Sequence, residues 1–192
     1  MLRGEKVILR APTRADLPTF VRWFNDPEVT QFLGGDMWPL SPETEERWFN
    51  RVIEEERRTL CIETLPTAEQ PGMLIGNCAL FHYSERNQNA ELGIVIGEKD
   101  YWSKGYGTDA IRTLLRYAFD ELNYHKVTLR VYDFNPRGIR CYEKCGFQIE
   151  GRLRQHVFRH GRWHDEIHMG ILCDEFRASD RPAISPAGHT DP

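Results

Sequence analysis

Apolar positions in this chain fall into short alternating runs and longer stripes at helical spacing. Residues 5–10 alternate, with Val7 and Leu9 apolar, and predict a first strand. Thr13 reads as a helix N-cap with Asp16 as an imperfect capping box, and Leu17, Phe20, Val21 and Phe24 follow at helical spacing. That helix stops near Asn25-Asp26-Pro27. An aromatic-rich segment broken at Gly34-Gly35 leads to a second helix, opened by Ser41-Pro42-Glu43 and closed by Arg57 and Arg58. Three strand-like runs come next, at 60–64, 73–83 and 90–97, the last two joined by SERNQN as an antiparallel hairpin.

From Thr108 the residues Ala110, Ile111, Leu114, Leu115, Ala118, Phe119 and Leu122 form one helical stripe. Residues 126–132 alternate as a strand, and a loop from Asp133 to Pro136 opens a short helix that ends at Gly146. A short strand at 147–149 and a hairpin over 153–172, turning near His160-Gly161, complete the core. The tail from 178 is rich in Pro, Gly and Ser and predicts disorder. The order β-αα-βββ-α-β-α-ββ predicts an α+β fold: one domain over 1–177, with a mostly antiparallel central sheet and helices on both faces. It is not a doubly wound order.

Composition narrows the function classes. Of 192 residues, 28% are charged and 40% apolar, which is globular rather than disordered. The net charge of −4 argues against a nucleic-acid partner and suits a cationic one. No apolar stretch reaches the ~20 residues of a membrane span, and the first residues lack a signal-peptide core, so a cytoplasmic location is expected. Five cysteines, an odd number, fit reduced thiols. Cys141 and Cys145 lack a second ligand pair. His156, His160, His164 and His168 recur every four residues, but a hairpin turning at 160–161 sets Val157 opposite His164 and keeps the imidazoles apart. No metal is expected.

The stretch YWSKGYGT, residues 101–108, joins a strand to a helix through two glycines. A Walker loop would place its lysine after the glycines, and a dinucleotide fingerprint would need glycine where Ala110 stands. Two readings remain even: an anion site at a helix N-terminus, or a tight turn that needs glycine. About thirty residues on stands NPRGIRCYEKCGF, residues 135–147. The pair of segments resembles the GNAT superfamily of acyl-CoA-dependent N-acetyltransferases. Gly105 and Gly107 match its Gln/Arg-x-x-Gly-x-Gly/Ala loop, and Asn135, Gly138, Tyr142, Lys144, Gly146 and Phe147 match its second signature. Segments NDPEVTQFLGG and EGRLRQHVFRHGRWHDEIHMGIL resemble the Rim-type and spermidine acetyltransferase branch. One residue departs from the pattern: Trp102 stands where the family carries Gln or Arg.

The resemblance implies transfer of acetyl from acetyl-CoA to a primary amine by direct attack. It implies that the backbone of Ser103, Lys104, Gly105, Tyr106, Gly107 and Thr108 holds the CoA pyrophosphate, with Lys104 a candidate extra charge. It also implies that Ile94, Val95 and Ile96 offer backbone groups to the pantetheine arm, with Gly93 marking a bulge or a close approach. Tyr142 is implied as general acid for the leaving thiolate, against the alternative of a core tyrosine facing the same way as Ile139. Asn135 either bonds the pantetheine arm or caps its helix. Arg137, Arg140 and Lys144 form a basic stripe that either meets a CoA phosphate or is solvated. Glu91 is the candidate base, and Glu28 and Trp38 are candidates for an acceptor pocket built by the first helices. Cys141 lies next to Tyr142, but direct transfer needs no covalent enzyme intermediate. The branch resemblance points first to a protein N-terminal amine, then to a polyamine or aminoglycoside-like amine. Many members of the family pair as homodimers; this sequence leaves the oligomeric state open.

Overall fold

The computed structural model describes residues 1–34, 38–54 and 58–180. Strands β1 (Leu2–Arg3), β2 (Val7–Arg10), β3 (Arg58–Thr64), β4 (Leu74–Ser84), β5 (Asn89–Ile96), β6 (Lys126–Tyr132), β7 (Gln148–Arg159) and β8 (Arg162–Leu172) form one sheet in the order β1-β2-β3-β4-β5-β6-β8-β7. Every neighbouring pair is antiparallel except β5 and β6. The helices are α1 (Leu17–Phe24), α2 (Pro27–Thr30), α3 (Pro42–Glu54), α4 (Tyr106–Arg116), α5 (Pro136–Lys144) and α6 (Cys173–Asp180). This is the expected α+β architecture. No helix among the described residues is long and apolar enough to cross a membrane.

Two cores follow from the alternation of the central strands. On one face Ala90, Leu92, Val127 and Leu129 meet the α4 stripe of Ile111, Leu114 and Leu115. On the other, Cys61 meets Phe20 and Trp23 of α1 and Phe49 of α3. The α1–α3 contact is aromatic, with Phe20 edge-on to Trp48 at 5.8 Å.

Several boundaries differ from the sequence reading. The first helix follows a single tight turn at Arg14–Asp16, where the Thr13 amide and hydroxyl both donate to the Asp16 carboxylate. The aromatic-rich segment holds the extra helix α2, capped by Asp26. Gly35 and Arg57 lie outside the described residues, and Arg58 opens β3 rather than closing α3. The predicted strand at 147–149 and the first arm of the hairpin are one strand, β7, bent where its register with β8 slips between Leu153 and Val157. The tail expected from 178 is helical as far as Asp180, and 181–192 lie outside the described residues. Gly93 marks no bulge, because it pairs in register with Ala79. The close approach there is the Phe81 ring, which a Cβ on residue 93 would meet at 2.7 Å.

One carboxyl on α3 is poorly housed. Glu45 is buried, its Oε1 has no hydrogen-bond partner among the described residues, and burial pushes its pKa up to about 7. The folded chain therefore binds this proton more tightly than the unfolded chain, and stability falls as pH rises from the ordinary value of 4.5 through about 7. Glu45→Met is expected to stabilise the protein at pH 8 by on the order of 2 kcal/mol, with the gain shrinking toward pH 5. Urea unfolding at the two pH values checks this.

Candidate active site

The parallel strands β5 and β6 pair at only three positions: Asn89 with Lys126, Ala90 with Val127, and Glu91 with Thr128. Beyond Glu91 they part. β5 stays paired with β4 as far as Ile96, and β6 stays paired with β8 as far as Tyr132, so each strand follows its outer neighbour. The inner edge of Ile94–Ile96 is left without a strand partner. Helices α4 and α5 both begin beyond the carboxyl ends of these two strands, where open sheets place ligands.

A cavity of about 330 Å³ fills the opening. The backbone edge of Ile94, Val95 and Ile96 forms one wall, and Asn135, Arg140 and Tyr142 from α5 form the other. Ser103, Gly105, Gly107 and Thr108 close one end. Gly105 caps α4 at φ +88°, a left-handed conformation that a side chain would strain. The first amide of α4 to find a helical carbonyl is that of Asp109, bonded to Gly105 O at 3.0 Å. The amides of Tyr106, Gly107 and Thr108 therefore stand at the open turn.

Two side chains of the loop turn away from the cavity. Lys104 does not line it; its carbonyl accepts from Lys6 Nζ at 3.1 Å. The Tyr106 ring packs edge-on against Tyr101 at 5.0 Å, beneath Lys6. Trp102 lines the cavity, and its indole Nε1 donates to Ile96 O at 2.7 Å.

On α5 the Asn135 side chain accepts from the Gly138 amide at 2.9 Å, which makes it the helix cap. A Cβ on residue 138 would come 2.6 Å from Asn135 Nδ2, so the cap needs glycine there. Tyr142 packs its ring on the core and on Phe147 at 6.1 Å while also lining the cavity. It is both the core tyrosine and the cleft tyrosine. Burial, with smaller contributions from Cys141 and Cys145, pushes its phenol well above the ordinary value, so it keeps its proton. Cys141 also lines the cleft; hydrogen bonding with Cys145 holds its thiol below the ordinary value.

Glu91 lines none of this cleft; it sits in a second cavity with His82, Thr128, Arg130 and His168. Its carboxylate takes hydrogen bonds from Arg130 Nε at 2.6 Å and His82 Nδ1 at 3.0 Å. Burial alone would raise its pKa, but these two partners outweigh burial and hold it below the ordinary value. Glu28 is exposed and shares Lys99 with Asp26, at 2.8 and 2.9 Å. Trp38 is exposed and lines neither cavity, whereas Val29, Phe32 and Leu33 do bring the α2 segment to the cleft. The histidines of the β7–β8 hairpin point to separate partners: His164 to Asp133, His168 to Glu166. Among the described residues no group of His, Cys, Asp and Glu is arranged to hold a metal.

The sequence reading had no place for Asp109. Its buried carboxylate accepts from the amides of Glu5, Lys6 and Val7 at 3.1, 2.8 and 3.0 Å, tying the N-terminal hairpin to the first turn of α4. An acid in the first turn of a helix is a visible pattern, but partners more than a hundred residues away are not.

Residues 6–148 match the model of the acetyltransferase (GNAT) domain. The spermidine N(1)-acetyltransferase of Vibrio cholerae is 29% identical over 173 residues, covering 90% of this chain and 96% of that protein. An uncharacterized N-acetyltransferase of the SPbeta prophage of Bacillus subtilis is 30% identical, over 90% and 93% of the two chains. Among solved structures, Vibrio cholerae spermidine N-acetyltransferase in complex with CoA and spermine aligns with a TM-score of 0.80 at 30% identity, covering 89% of this chain and 98% of that one.

The Asp109 clamp makes a separate prediction. Asp109→Asn loses acceptor capacity for three backbone donors and is expected to cost about 2–3 kcal/mol in urea unfolding. The same change should raise the KM for acetyl-CoA, because α4's first turn loses its anchor.

Proposed function

Because the chain belongs to the GNAT acetyltransferase family and so uses acetyl-CoA, we propose that it acetylates a primary amine of a small polycation of the polyamine class, with Tyr142 as general acid and Glu91 serving the acceptor side. The observation that carries this reading is the parting of β5 from β6 with Tyr142 across the gap. A thioester lying along Ile94–Ile96 satisfies the unpaired backbone edge, and its anionic end reaches the open turn of α4. The amine lone pair attacks the thioester carbonyl, the C–S bond breaks, and the Tyr142 phenol gives its proton to the departing sulfur. The acetylated nitrogen sheds its extra proton through water toward Glu91. The proton on Tyr142 is then restored from solvent.

Two features support a cationic acceptor. Similarity to the Vibrio cholerae spermidine acetyltransferase spans nearly the whole of both chains. At the α2 rim, Asp26 and Glu28 place two carboxylates around Lys99, a cluster that a second cationic amine can join. We place the reaction in the cytoplasm, in keeping with five cysteines that are all free thiols.

Release of CoA thiol, followed with spermidine, spermine, aminoglycosides and peptides bearing free N-termini, tests the acceptor. Spermidine or spermine is expected to give the highest kcat/KM; a preference for peptides would overturn the polyamine reading. Tyr142→Phe is expected to lower kcat by about 10²–10³-fold with little change in the KM for acetyl-CoA. Glu91 is already anionic well below neutral pH, so the rise of kcat/KM with pH should follow the acceptor amine. Glu91→Gln is expected to lower kcat/KM for the amine at least about tenfold and leave that pH midpoint unmoved.

A further inference from the structure

Arg137, at the second position of α5, stands apart from the other half-buried cations. Its guanidinium carbon lies 3.7 Å from the centroid of the Trp102 ring and 5.5 Å from that of Phe32, and it lines the cleft. Arg10, Arg116 and Lys126 are each held by a carboxylate, whereas Arg137 makes no hydrogen bond or ion pair with any described residue. Burial works against its charge, and the carboxylate acting in its favour, Glu28, is already bonded to Lys99. A guanidinium kept in a partly dry cleft without an anion is costly unless an anion arrives.

Trp102 explains how it is kept. The indole is pinned by its bond to Ile96 O, so it cannot swing away, and its flat face accepts the planar guanidinium by stacking. Position 102 is where the family pattern has Gln or Arg, a side chain able to donate to a phosphate. Here that position is a platform, and the donor comes from another helix. We infer that Arg137, resting on Trp102 in the free chain, is the counter-charge for the pyrophosphate of acetyl-CoA and joins α5 to loop 103–108 when that substrate binds. The inference rests on the reading that loop 103–108 takes the pyrophosphate. A guanidinium fork can bond two phosphate oxygens while its face stays on the indole, which an ammonium cannot do.

Steady-state kinetics with acetyl-CoA and with S-acetylpantetheine, which has no pyrophosphate, test it. Arg137→Met should raise the KM for acetyl-CoA about ten- to a hundredfold, keep kcat within about threefold, and leave kcat/KM for S-acetylpantetheine unchanged. Arg137→Lys should recover only part of the loss. Trp102→Gln added to Arg137→Met should recover part of it by a different route, returning a donor to the loop. Circular dichroism and thermal melting establish that each variant is folded. An unchanged acetyl-CoA KM in folded Arg137→Met overturns the role of Arg137, and so does an equal loss with both acyl donors. If the parent enzyme uses the two donors with equal kcat/KM, the pyrophosphate reading of the loop itself falls.

Discussion

Two parallel strands that pair over three residues and then separate leave backbone donors and acceptors facing a gap, and such groups are costly unless something bonds them. The rest of the site is arranged around that constraint. β4 and β8 hold the outer edges of β5 and β6, so the gap cannot close by pairing. The Trp102 indole takes Ile96 O, which leaves the stretch just before it for an extended ligand. The two helices that begin past the gap supply amide donors from α4 and a phenol from α5. A thioester with an extended, amide-bearing arm and an anionic end satisfies all three demands together, which is the physical case for placing acetyl-CoA at this edge.

That arrangement needs α4 held firmly at its first turn. The N-terminal hairpin does this from outside the cleft, through three amides on Asp109 and through Lys6 on the Lys104 carbonyl. The clamp leaves the amides at the turn free while fixing where they point, and fixed donors need no reorganisation when charge arrives. The second cavity has another balance. Glu91 is locked between Arg130 and His82, so it keeps its charge and its position but is a weak base. In the proposed reaction its part is therefore to hold a water or an ammonium, with solvent as the final proton sink.

Much of this was legible in the residues, and the exceptions share a cause. The α4 stripe, the alternation of 126–132 and the Asn135–Gly138 cap are local patterns, and local backbone preference agrees with the tertiary answer at each. α2, at four residues, is too short to show a period, and its apolar Val29, like Phe32 just beyond it, lines the cleft. β7 was split because an edge strand exposed along most of its length has no need to alternate. The partners of Asp109 and the length of the β5–β6 pairing depend on which distant segment arrives beside them. The motif glycines mark the loop, but nothing in the order of residues shows that Trp102 and Arg137 will meet.

The central claim is that the open inner edge of β5 and the first turn of α4 are where acetyl-CoA binds. Amide hydrogen exchange with and without acetyl-CoA reads those groups directly. The account predicts slowed exchange in peptides covering Leu92–Ile96 and Ser103–Asp109, together with the start of α5, and little change in β1, β7 or the far end of β3. Protection centred elsewhere, with the β5 edge and the α4 turn exchanging as fast as in the free chain, would contradict it.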